Sequence, residues 1–248
     1  EQSRDKLLLG AERKTMVLSD KEKRMTAYHE AGHTLINLLE KESDPFHKVT
    51  IIPRGRALGV TMSLPEKDRY SYDKEYMLNQ ISMLFGGRIA EEVFMNQMTT
   101  GSSNDFERAT SIARDMVMRY GMTEALGPMV YSENEGEVFL GRSVTQHKNM
   151  SDDTASAIDR EIRLIIDANY TRAKQILVDH MDKLHVMADA LLKFETIDSD
   201  QIDDIMGGRV PGICKVTITG SYPLGLKWRD TIAEHDTVWI GNSAQALH

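Results

Sequence analysis

Two histidines four residues apart, His29 and His33 in "TAYHEAGH", carry the densest chemistry in this 248-residue chain, with Glu30 directly after the first. On an α-helix, residues i and i+4 stand one above the other, so both imidazoles point the same way and can hold one ion between them. Glu30 is turned by about 100° round the same helix, near that ion without having to ligate it. This HExxH spacing suits Zn2+. The metal lowers the pKa of its bound water towards about 7, and a neighbouring carboxylate can take the proton as that water attacks a peptide carbonyl. The same spacing can arise by chance on a solvated helix face, so the helix that carries it matters.

That helix is clearly signalled. Ser19, or Asp20 beside it, is the N-cap candidate, and Glu22 completes a capping-box pattern with Ser19. Met25, Tyr28, Gly32, Ile36 and Leu39 then recur at helical spacing until "SDPFH" breaks the pattern, and the histidines lie beside this stripe. A catalytic zinc usually takes three protein ligands and leaves a position for water. The other histidines, His47, His147, His180, His185, His235 and His248, form no convincing arrangement. Carboxylates do better. Asp105 in "TGSSNDFERAT" shares a helical face with Ala109, Ile112, Met116 and Tyr120, the face this helix should bury, and a buried carboxylate needs a cation or several donors. The alternative is that Asp105 only caps its helix, although Asn104 with Glu107 is a competing capping pair that would free it. Glu91 and Glu92 in "GGRIAEEVF" are rival ligands, Glu92 continuing the stripe of Ile81, Phe85 and Ile89. Their alternative role is to accept a hydrogen bond from the free ring nitrogen of His29 or His33.

The rest of the chain supplies the scaffold. "HKVTIIP" and "LGVTMSLP" alternate, are β-branched and end at Pro53 and Pro65, which predicts a small hairpin or two neighbouring strands. Helices are expected from about Tyr72 to Met95, from Asp105 to Tyr120 with Gly121 as the stop, and from Ser151 to Phe194 with a break near Asp179 to Asp182. A short helix, Ser199 to Met206, ends at Gly207 and Gly208, whereas "GPMVYSENEGEVFLGRS" reads as a hairpin or irregular loop. The composition excludes several classes. A formal charge of -8 without a basic stripe argues against nucleic acid, and the single cysteine, Cys214, excludes a disulfide framework and fits a reducing compartment. No run of about 18 apolar residues occurs, no signal-peptide pattern opens the chain and no GxxxxGK[ST] loop is present, so a soluble chain without its own ATP site is expected.

"TAYHEAGH", "HKVTIIPRGRALGVT", "GGRIAEE", "TGSSNDFERAT", "LGPMVY", "GEVFLGR" and "FETIDSDQIDD" resemble, in this order, the peptidase domain of the FtsH family of ATP-dependent zinc metalloproteases. The resemblance implies a mainly α, helical zinc-peptidase domain with a small β-hairpin or sheet near the active site. It further implies a homo-hexameric ring beneath an AAA ATPase ring that feeds it membrane and soluble polypeptides. On the matching motifs, His29, His33 and Asp105 would hold Zn2+, Glu30 would be the catalytic base, and Glu91 and Glu92 would support them. Residues 1–18 would then be the end of the ATPase lid and a linker, 19–206 the peptidase domain, and 207–248 a tail of unknown role. The family's membrane anchor and ATP-using domain have no counterpart in this sequence. The parent is expected in the bacterial inner membrane with this domain cytoplasmic. Two further readings follow from the residues: "LGVTMSLP" could pair with an extended peptide at a sheet edge, and the long helical hairpin could serve a non-catalytic, ring-forming assembly module with structural zinc.

Overall fold

A computed structural model describes residues 13, 18–55, 57–64, 70–131 and 150–212. Most of the expected linker (1–12 and 14–17), most of the glycine-rich segment, with the residues that follow it (132–149), and most of the tail (213–248) lie outside the described residues. Six α-helices and a three-stranded sheet occur among the described residues, so the mainly α expectation holds.

Helix α1 spans Asp20–Leu39 and begins at the anticipated capping box: Glu22 N donates to Ser19 Oγ at 3.3 Å, and Ser19 N donates to Glu22 Oε2 at 2.9 Å. Its apolar stripe is buried at Ala27, Tyr28, Ala31, Leu35 and Ile36. Helix α2, Lys74–Met95, is capped by Asp73, whose carboxylate accepts from Tyr76 N at 2.8 Å. The two helices meet backbone to backbone at Gly32 and Gly86. A β-carbon on Gly32 would lie 2.3 Å from the Gly86 carbonyl oxygen, and one on Gly86 would lie 2.5 Å from the Gly32 oxygen. No side chain fits there, and this contact is what lets α2 pass directly under the histidines.

After a 3-10 turn at Thr100–Ser102 comes α3, Ser103–Met118. Ser102 is its N-cap but makes no side-chain capping bond, so the expected Asn104–Glu107 cap does not start this helix; Thr99 instead caps the 3-10 turn that feeds into it. Ala109 and Met116 are buried as expected, but Tyr120 is exposed because the helix ends two residues earlier and the chain turns at Gly121, φ +57°. The long helical pattern divides at His180 into α4, Asp152–Asp179, and α5, Met181–Phe194. Ile158, Ile162, Ala173 and Leu177 of α4 and Leu184, Met187 and Leu191 of α5 complete the core around α1 and α2.

Strands β1, Phe46–Thr50, and β2, Val60–Ser63, form the expected antiparallel pair, with Val49 opposite Thr61. A third strand, β3, Thr196–Asp198, pairs with the other side of β1, Ile197 opposite Val49, and leads into α6, Ser199–Met206. The sheet order is β2-β1-β3, which leaves β2 at an edge. No helix among the described residues is long and apolar enough to cross a membrane.

Candidate metal centre

The i, i+4 spacing on α1 sets the rings of His29 and His33 edge to face, with an interplanar angle of 79°, their centroids 4.7 Å apart and their Nε2 atoms 3.0 Å apart. Asp105, in the first turn of α3, brings Oδ2 to 3.5 Å from His29 Nε2 and 3.6 Å from His33 Nε2. These three residues are the only His, Cys, Asp or Glu group of metal-holding geometry among the described residues, with one ligand atom from each within 4.8 Å of the others. Gly87 of α2 faces them. A β-carbon there would sit 2.5 Å from His29 Nε2 and 2.6 Å from His33 Nε2, so the glycine leaves open the space that both nitrogens border.

The second ring nitrogens fix what the first ones can do. His33 Nδ1 lies 2.8 Å from the Met83 carbonyl oxygen, which can only accept, so this nitrogen carries the proton. His29 Nδ1 lies 2.8 Å from Glu91 Oε1. Burial works against an ionised Glu91, but the bonds from His29 and from Thr99 outweigh it and lower its pKa. Thr99 N donates to Glu91 Oε2 at 2.9 Å and the Thr99 hydroxyl lies 3.1 Å from Oε1, so Glu91 is an acceptor and His29 Nδ1 donates to it. In the neutral rings both Nε2 atoms therefore carry lone pairs, facing each other and a carboxylate. Only a cation, a proton or a metal ion, relieves that arrangement. The electrostatics agree: burial alone would depress the His29 pKa, yet Asp105, Glu91 and Glu30 together raise it to about 10. Burial works against an ionised Asp105 as well, but hydrogen bonds to His29 and His33 and the charge of both rings overcome it and hold its carboxyl well below the usual range. Two imidazoles and one carboxylate, the whole donor set among the described residues, fit a zinc ion with a position to spare.

Glu30 is buried, and its Oε2 accepts from the Thr61 hydroxyl of β2 at 2.7 Å. Glu92 is directed elsewhere: it accepts from the Tyr170 hydroxyl and pairs with Lys174 Nζ at 3.6 Å. Of the two adjacent glutamates, Glu91 is thus the one brought to the histidines. His185 bonds to the Tyr28 hydroxyl at 2.8 Å, and His180 Nδ1 lies 3.0 Å from the Ile176 carbonyl, its own preceding turn. Sequence reasoning missed Thr99, Thr61 and the Met83 carbonyl. The first two sit inside "MTTGSSND" and "LGVTMSLP" without any spacing that flags them, and a backbone carbonyl has no sequence signal.

Residues 16–205 match the sequence profile of Peptidase family M41. The chain belongs to this family. It is 59% identical over 208 residues to an ATP-dependent zinc metalloprotease FtsH of Photobacterium profundum, covering 83% of this chain and 30% of that protein. It is 54% identical over 208 residues to a protein of the same name from Magnetococcus marinus, covering 84% of this chain and 31% of the relative. A third, from Haemophilus influenzae, is 53% identical over 208 residues, 83% of this chain and 33% of the relative. The chain thus spans about a third of the length of the curated relatives it matches.

Proposed function

We propose that residues 19–206 are a zinc-dependent endopeptidase domain that cuts unfolded polypeptides. The observation that carries this reading is the convergence of His29 Nε2, His33 Nε2 and Asp105 Oδ2 beside the buried carboxylate of Glu30. His29, His33 and Asp105 hold the ion; Zn2+, when bound, supplies Lewis acidity and a water whose pKa falls towards about 7. Glu91 and the Met83 carbonyl lock both rings with Nε2 bare, and Thr99 in turn fixes Glu91. Glu92, through Tyr170 and Lys174, ties α2 to α4 and supports the site only from a distance. Glu30 accepts the water's proton as the peptide carbonyl is attacked and returns it to the departing amine.

The edge strand β2 suits an extended peptide, because backbone pairing binds chains with little regard to sequence. The relatives are named ATP-dependent zinc metalloproteases, and we infer from the family resemblance a wider setting: a homo-hexamer fed by an AAA ATPase domain of the same parent chain, that parent anchored in the bacterial inner membrane with this domain cytoplasmic. Zinc stoichiometry by native mass spectrometry and cleavage of an unfolded protein substrate, on the wild-type chain, Glu30→Gln and Asp105→Asn, test the reading together. Glu30→Gln should keep one zinc and lose cleavage by at least about 100-fold. Asp105→Asn should lose most of the zinc. Cleavage surviving in Glu30→Gln refutes the base role, and no zinc in any of the three returns the chain to a ring-forming assembly module.

A further inference from the structure

We propose that Thr61 is a positioning residue for Glu30: its hydroxyl holds one oxygen of the carboxylate and so aims the other at the proton to be taken. The inference rests on the peptidase reading above. Thr61 Oγ1 is 2.7 Å from Glu30 Oε2, against 3.3 Å from the Glu30 carbonyl oxygen and 3.4 Å from Thr34 Oγ1, so the carboxylate is the best acceptor within reach of its single proton. The Glu30 carbonyl already receives the Thr34 hydroxyl at 2.8 Å. Glu30 is only 6% exposed, and among the described residues Thr61 is the one donor to its side-chain carboxylate, so water is poorly placed to substitute.

The residue just before the strand makes room for the carboxylate in this orientation. A β-carbon on Gly59, two residues before Thr61, would fall 2.7 Å from both Cγ and Oε1 of Glu30. The absence of a side chain at Gly59 therefore leaves open the space that Oε1 borders, while the Thr61 hydroxyl pins Oε2. Thr61 in turn is fixed by its register opposite Val49, which is fully buried in the middle strand. The edge strand thus sets the direction of the base as well as offering a surface for peptide.

Thr61→Val keeps the shape and removes the donor, and Thr61→Ser restores the donor without the methyl. On the full chain acting on a short quenched-fluorescence peptide, Thr61→Val should lower kcat about 10- to 100-fold with KM within about twofold, the scale of one hydrogen bond to a buried charge. Thr61→Ser should recover most of it. A readout independent of turnover is the affinity of a peptide hydroxamate, whose hydroxyl meets the base: Thr61→Val should weaken it about tenfold, while zinc content and the affinity of the same peptide ending in an amide stay unchanged. If Thr61→Val does not fold, Thr61→Ala compared with Thr61→Ser reads the same difference. Wild-type kcat and hydroxamate affinity in Thr61→Val, a rise confined to KM, or failure of Thr61→Ser to recover would each overturn the inference while leaving the peptidase reading intact. Full activity in Glu30→Gln would overturn both.

Discussion

Gly87→Ala is the sharpest probe of the proposed metal site, because it adds one methyl group to the space the ring nitrogens border. The new carbon would stand 2.5 Å from His29 Nε2 and 2.6 Å from His33 Nε2, where a relaxed contact needs about 3.5 Å. The rings, the helix or both must retreat by about 1 Å. Helix α2 has little freedom to do so, since at Gly86 its backbone already touches that of α1. The rings are left to move, and each is tethered by a 2.8 Å bond, to Glu91 and to the Met83 carbonyl. Losing one such outer partner typically costs about 10- to 100-fold in metal affinity. Disturbing both predicts a loss of about 100-fold or more, on the order of 3 kcal/mol. Fold stability should change less, because an alanine inside a helix is favoured over glycine by roughly 0.5–1 kcal/mol, which offsets part of the crowding. The assay is a zinc dissociation constant from chelator competition at fixed pH, with thermal unfolding of the metal-free chain as control. Wild-type zinc affinity in a folded Gly87→Ala chain would show that the two Nε2 atoms do not share an ion at this place.

Other expectations follow from the scaffold. Gly32→Ala places a β-carbon against a backbone oxygen that cannot step aside, so it should destabilise by about 3 kcal/mol or more, read as a lowered urea midpoint. The Tyr170 bond lowers the pKa of Glu92 from 4.5, so the pair stabilises the fold above that value and loses its contribution as pH falls through the lower folded value. Burial, followed by Glu92, raises the Tyr170 pKa from 10.0 to about 12, so the contribution fades again as pH rises between those values. Tyr170→Phe should therefore shift the urea midpoint at about pH 7 and much less at about pH 3; an equal shift at both would refute the pairing. Peptides N-methylated at successive backbone amides should show a raised KM at alternate positions if β2 pairs with substrate, and no positional pattern if it does not.

Much of this architecture was legible because it is local. The capping box at Ser19 and Glu22, the stripe through Tyr28 and Ile36, and the break at His180 each follow from residues a few positions apart. The approach of His29 to His33 is local too, being one helical turn. What was illegible depends on distant chain. The stripe of Ile81, Phe85 and Ile89 pointed to Glu92, yet Glu91 is the buried one, because the loop after α2 folds back and offers it the amide and hydroxyl of Thr99. Glu92 meets Tyr170 only through the arrival of α4. Strand β3 is three residues long, too short to show a period, and exists because β1 is there to pair with it. The Asn104–Glu107 cap failed because the preceding 3-10 turn already runs into the helix, leaving no free start to cap.

The pairing of Val49 with Ile197 closes a loop through most of the domain. During synthesis β1 and β2 can meet as soon as both have left the ribosome, but the second side of β1 has no mate until α5 has been made. Until then β1 presents an open row of amides and carbonyls, the kind of surface that recruits strands from other nascent chains. Contacts of such long sequence separation slow folding, so completion of the sheet should be a late event. A shortened version of this domain ending before Thr196 would keep His29, His33 and Asp105 of the proposed metal site and still be poorly behaved, because its middle strand would have become an edge.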